Sequence, residues 1–207
     1  MKKKIIVLLA ILLSTLSVWA GYMPFYSNSI PTGALGLYQI TGNVQIFDAP
    51  SETATEKFLL KVDYEDMQEG IFAAFVPEKE LAFLYATDID DGWVEVIYDK
   101  DKNIRGWVQL EDKFLFNSWM SFYNMYGRKY GLKLMKDLPE GNKVLRAAPE
   151  DNAQVVSRIN YPQKIKLTAL RGNWALVSVL DMDKIPKTGF LKWRSATGEI
   201  YAFPEIK

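Results

Sequence analysis

The chain reads as a mainly all-β protein: two small β-barrels in tandem, joined by a short helix and preceded by an N-terminal signal helix. Three observations predict this. Residues 42–50 (GNVQIFDAP) return ninety-nine positions later as residues 141–149 (GNKVLRAAP), with Ile46 aligned to Leu145. A longer echo follows each copy, DDGWVEVIYDKDKNIRGWV at 90–108 and RGNWALVSVLDMDKIPKTGFL at 171–191. Between these marks lie short alternating apolar runs bounded by Gly, Pro, Asn and Asp, the pattern of small barrels. Such self-similarity means one compact unit encoded twice.

Residues 1–20 carry Lys2, Lys3 and Lys4, then the apolar run Ile5–Leu13, with Val18 and Ala20 before the expected cut. That is the layout of a signal peptide, so the mature protein is expected to start near Gly21. The alternative is an uncleaved anchor. The apolar run falls short of the about 18–20 residues that a span needs, and no Cys follows it to take a lipid. The protein is therefore expected to be exported, periplasmic or extracellular, with no stable membrane span after cleavage.

Residues 21–35 hold two Pro, two Gly and no charge, and are expected to form an irregular lead-in lying on the first domain. Domain 1 is expected over residues 36–116. A strand at Val44–Phe47 stops at the Ala49-Pro50 corner, since proline donates nothing to a ladder. Further strands are expected at 57–62, 81–86, 93–98 and 104–110. Asp99–Asn103 forms the turn of the last hairpin. Along 93–98, Val94 and Val96 should face one way and Glu95 and Ile97 the other. From the Ala-Pro proline to the tryptophan is 43 residues in the first copy and 25 in the second. Domain 1 thus carries an insertion, placed at about 64–80.

Residues 117–130 space Trp119, Phe122, Tyr123 and Tyr126 as one helix face, with Asn117 or Ser118 as cap. An aromatic face this dense is expected to form a wedge between domains. Domain 2 is expected over residues 131–207. Its strands fall at 143–146, 154–159, 164–170, 174–180 and 188–193, with 199–203 closing the sheet.

The run LRAAPEDNAQVVSRI…KLTALRGNWALVSV…TGFL resembles bacterial SH3-like (SH3b) domains. Leu145, Arg146 and Pro149 match that family's opening. Gly92-Trp93 and Gly106-Trp107-Val108 match its later marks in the first copy. Phe47 stands where arginine is usual, Asn173-Trp174 replaces Gly-Trp, and Gly189-Phe190 replaces the closing pair. The resemblance covers about 36–117 and 131–207. It implies SH3-like barrels that bind cell-wall peptide or glycan, or act as spacers and docking domains.

The chain has no His and no Cys. Imidazole- and thiol-based catalysis are thereby excluded, as are the usual zinc ligands and disulfide staples. Carboxylate catalysis needs two facing acids, and Glu95 has no evident partner on its strand. Ser–Lys chemistry finds no S-x-x-K arrangement at a helix start. A non-catalytic protein without cofactor or metal is expected. Asp88, Asp90, Asp91, Asp99 and Asp101 sit on turns. They offer oxygen ligands to a hard cation, but lack EF-hand spacing and serve equally as solvated turns.

Trp93 and Trp174 begin equivalent strands. Each offers a stacking platform for a peptide or sugar ring, or else packs over the end of its own barrel. Tyr98, Tyr161 and Trp193 lie near turns and are expected as exposed contacts. Arg146 and Arg171 complete the candidate ligand-binding set.

Charge is unevenly spread. Residues 36–117 hold seven Lys and Arg against seventeen Asp and Glu, while 118–207 hold fifteen against eight. Lys129, Lys133, Lys136, Lys143, Arg146, Arg158, Lys164, Lys166 and Arg171 concentrate in the second half. They are expected either to receive an anionic envelope polymer or lipid headgroups, or to face the acidic first half. The expected partner is a cell-wall peptide or glycan, taken by the second unit or by the cleft between units, or else another envelope protein. Nucleic acid is not expected, because the mature chain is slightly acidic.

Overall fold

The computed structural model describes residues 24–63, 70–110, 115–160, 163–181 and 183–206. The expected signal helix, part of the insertion and Tyr161 lie outside these. The chain is mostly β-strand with one short helical segment. The first half holds β1 (Phe25–Tyr26), β2 (Gly36–Ile40), β3 (Val44–Phe47), β4 (Glu56–Leu60), β5 (Ala74–Val76), β6 (Leu81–Asp90), β7 (Trp93–Asp99), β8 (Ile104–Gln109) and β9 (Phe116–Ser118). The helical segment is α1 (Trp119–Phe122), a π-turn (Tyr123–Gly127) and α2 (Arg128–Tyr130). The second half holds β10 (Leu132–Leu134), β11 (Val144–Arg146), β12 (Val155–Arg158), β13 (Lys166–Arg171), β14 (Trp174–Leu180), β15 (Pro186–Lys192) and β16 (Ala202–Pro204).

Five strands follow the same spatial order in each half: β4-β3-β8-β7-β6 in the first and β12-β11-β15-β14-β13 in the second. The details correspond as well. Bulges fall between Ile46 and Phe47 and between Leu145 and Arg146. Two more fall between Ala86 and Asp88 and between Leu167 and Ala169. The closing strand touches the first through one pair in each case, Phe47 with Trp107 and Arg146 with Phe190. Next to those pairs sit Gly106 and Gly189. A Cβ on Gly106 would lie 2.3 Å from Ile46 Cγ2, and one on Gly189 would lie 2.9 Å from the Arg146 carbonyl oxygen. Only a residue without a side chain lets the strands cross this closely.

Neither sheet closes into the expected barrel. The long strand β6 carries β5 and β7 on one edge and β2 on the other, so the sheet runs on through β2 to β9 instead of returning to β4. In the second half, residues 199–203 do not close the five-stranded sheet. β16 pairs with β10 in a separate two-stranded ribbon. The helix draws it there, because Tyr123 Oη donates to the Ala202 carbonyl at 2.6 Å and Ala202 and Phe203 are fully buried.

Part of the insertion is core, whereas Glu78, Lys79 and Glu80 at its end are exposed. Residues 72–76 (FAAFV) are almost wholly buried, and the Phe72 and Phe75 rings stack at 5.1 Å. Backbone pairing and period-two alternation sort β6 onto two faces. Ala82, Leu84 and Ala86 join Ile46, Leu60, Phe75, Val94 and Val96 in an inner core. Phe83 and Tyr85 face the other way, with Leu37 and Ile97. That second face is covered by Trp119, Phe122 and Tyr123 from the helix, and by Trp193, Phe203 and the core of the second half. Ser118 caps α1, its hydroxyl accepting from the Ser121 amide. The aromatic segment packs its rings between the outer face of β6 and the buried residues of the second half.

The lead-in is neither irregular throughout nor confined to the first half. β1 pairs with β5. Ile30 N–H donates to Gly198 at 2.7 Å, and Asn28 accepts from Ile200 at 2.8 Å. The segment is a strap across both halves, because its uncharged backbone finds donors and acceptors on each. Charge pairing among the described residues is local to one half in six cases, such as Arg105–Glu95 and Lys192–Asp151.

Gly106→Ala and Gly189→Ala should each lower stability by about 1–3 kcal/mol, read as a reduced urea midpoint, whereas Gly42→Ala, which meets open space, should be nearly neutral. Burial raises the pKa of Tyr26, Tyr85, Tyr123 and Tyr126 in the folded state. A raised folded pKa supports folding below the unfolded value and loses that support as pH climbs. Thermal stability should therefore hold level from about pH 6 to 9 and fall above about pH 10. Tyr85→Phe should blunt that alkaline fall.

Candidate ligand-binding cleft

The residues expected to bind ligand are dispersed. Trp93, 6% exposed, opens β7 and takes the Phe47 ring edge-on at 5.4 Å. Trp174, 9% exposed, opens β14, with Lys192 Nζ 5.6 Å from its ring centroid. Lys192 is itself held by Asp151 at 2.7 Å. Each indole is covered from its own half, as packing over the sheet end requires. Trp193 overturns its expected exposure, being only 1% exposed. Its Nε1 donates to the Gly172 carbonyl, its ring lies 4.4 Å from Tyr123, and Arg194 sits 4.5 Å over it. A turn follows Trp193, but its side chain belongs to the wedge.

Tyr98 is half-buried and stacks on Phe58 at 5.3 Å with 15° between planes. Arg146 is spent locally, donating to the Ala153 carbonyl at 2.9 Å. Arg171 is exposed beside the β13–β14 turn. None of these residues lines the cavities described next. The turn aspartates form no metal-binding group among the described residues. Asp99 has its carboxyl held below the ordinary value by the backbone N–H and ammonium of Lys102.

Concave space opens instead where the strap meets the ribbon of the second half. Two basins adjoin there, of about 670 and 730 Å³. Both lie within the size range of small-ligand sites. They share Pro24, Phe25, Tyr26, Lys133, Leu134 and Lys136. The first basin adds Lys100, Asp101, Asp137 and Glu199, with Ser27 and Asn28 from the strap. The second adds the apolar Val76, Leu132, Ile159 and Ile206, with Lys79, Lys164, Glu78 and Glu205.

Lys133 stands between the basins. β10 places it, and the strap places its partner: the ammonium lies 3.7 Å from the Tyr26 ring centroid. Tyr26 is fixed in turn, since its hydroxyl accepts from the Ile206 amide and its ring meets Phe203 at 5.2 Å. Burial of Lys133 holds its pKa below the ordinary lysine value, and Glu205 opposes that shift. The ring face attracts the ammonium and so fixes its position. Lys133, Lys136 and Lys164 were visible as part of the basic half. Phe25 and Tyr26 were missed, because a short strap carries no periodicity to mark it.

Among the described residues, no helix is long and apolar enough to cross a membrane. No protein-family model matches the chain, and no curated protein is significantly similar to it.

Proposed function

We propose that this is an exported, non-catalytic binding protein of the bacterial envelope, built from two SH3-like modules. Its cleft between strap and ribbon receives a cell-wall peptide or another anionic wall component. The observation that carries this reading is the pair of adjoining basins, with apolar walls and Lys133, Lys136 and Lys164 at their sides. The common strand order, the paired bulges and the paired crossing glycines support a duplicated module. The absence of imidazole and thiol from the sequence supports a binding role.

A second reading is an accessory subunit that docks on another envelope protein. It rests on the edge strands. β4 leaves Phe58 and Leu59 each 44% exposed, and β12 leaves Val155 and Val156 exposed. Edges of this kind accept strands from partners unless they are blunted. Here Lys57, Lys61 and the bulges blunt them, so the cleft is preferred.

Co-sedimentation with purified wall sacculi separates the two. Retention that fades as salt rises from about 0.05 to 0.5 M, and is lost when Lys133, Lys136 and Lys164 are changed together to Glu, is the expected result. Unretained protein, with an envelope protein caught by cross-linking, would favour the second reading. Intact-mass analysis of the exported protein should find Gly21 as its first residue.

A further inference from the structure

Two sheet edges stand open, one in each half. Among the described residues β4 pairs only with β3, and β12 only with β11. Both edges carry bare apolar side chains: Phe58, Leu59, Val155 and Val156 are each between 41% and 46% exposed. An open edge of this kind is a template for another strand. Charge selects the occupant. β4 belongs to the half with seven Lys and Arg against seventeen Asp and Glu, and β12 to the half with fifteen against eight. Asp48, Glu52 and Glu56 are exposed on β4 and the loop before it, whereas Arg158 is exposed on β12. Setting β4 against β4, or β12 against β12, joins halves of like charge. Setting β4 against β12 joins halves of opposite charge, and such complementarity decides between pairings.

We propose that the chain associates with copies of itself head to tail, β4 of one copy adding to β12 of the next. With the two strands antiparallel, Phe58 and Leu59 lie beside Val155 and Val156. Glu56 then falls at the end that carries Arg158, and Lys61 at the end where Glu150 leads into β12. Arg158 is free to exchange partners, since it lies 3.8 Å from Glu140 with both side chains exposed, a pairing worth little. The bulges also correspond: Lys57 and Val156 are the extra residues, and the antiparallel alignment puts them at neighbouring levels. These kinks and Lys57 keep the contact short, so the association is weak. Because the two surfaces differ, every addition leaves one of each open, and growth does not stop at two copies. No residue of β4 or β12 lines the cleft between strap and ribbon.

The test is sedimentation equilibrium of the chain from Gly21. The weight-average mass should rise between about 10 µM and 1 mM and pass beyond the dimer. It should fall back as salt rises from about 0.05 to 0.5 M. Leu59→Lys and Val155→Lys alter exposed positions; circular dichroism should find each variant folded, and each should be monomeric. An equal mixture of the two should form a dimer and nothing larger, because one free β4 and one free β12 remain. Glu56→Arg and Arg158→Glu should each weaken association about threefold to fivefold, and the two changes in one chain should restore it. A wild-type chain that stays monomeric at every concentration would overturn the inference. So would association that survives either Lys variant alone, which marks a pairing of identical edges, or a mixture that stays monomeric. Both Lys variants keep the cleft intact, so their retention on sacculi tests the cleft reading separately.

Discussion

The β6–β7 region of the first sheet is apolar on both faces, and that creates the requirement the rest of the molecule meets. One face closes over its own inner core. The other exposes Phe83, Tyr85, Leu37 and Ile97 and must be covered. The helix and the second half supply the cover, in a run of ring contacts from Tyr85 through Trp119, Trp193 and Tyr123 to Phe203. Burying each such side chain is worth about 1.5–3 kcal/mol, and favourable ring pairs add about 0.5–1.5 kcal/mol. The hydroxyl of wholly buried Tyr123 is satisfied by the Ala202 carbonyl. The two halves are therefore joined through shared apolar surface.

The cleft is a by-product of that docking. Once the outer face is covered, the strap at 24–31 is trapped between halves, pairing with β5 on one side and bridging to Glu199 on the other. The ribbon of β10 and β16 is pinned beside it. The groove left between strap and ribbon brings Lys133 against Tyr26, two residues far apart in sequence.

Local pattern was legible in the sequence wherever a strand served its own half. The β7–β8 and β14–β15 hairpins follow from alternation and turn chemistry, and Val94 and Val96 face inward as period two requires. The helix was legible too, with Ser118 as one of the two caps expected for it. What was not legible depended on partners distant in sequence. Barrel closure failed because β6 found β2, which no local signal announces. β16 left the sheet it was assigned to because Tyr123 and the shared core outcompete an edge position. Trp193 was read as exposed from the turn that follows it, while its burial is decided by Tyr123 and Trp119. In the candidate site, the lysines showed through as a basic cluster, whereas the aromatic floor at Phe25 and Tyr26 lay in a segment too short and uncharged to stand out.

If shared apolar surface is what joins the halves, they cannot lose structure independently. Pulsed hydrogen exchange across a urea titration, read by mass spectrometry on peptides from β7 and from β14, measures this directly. A common midpoint and a common urea dependence for both strands is the predicted result. Two separated transitions, with either strand staying protected after the other has opened, would contradict it.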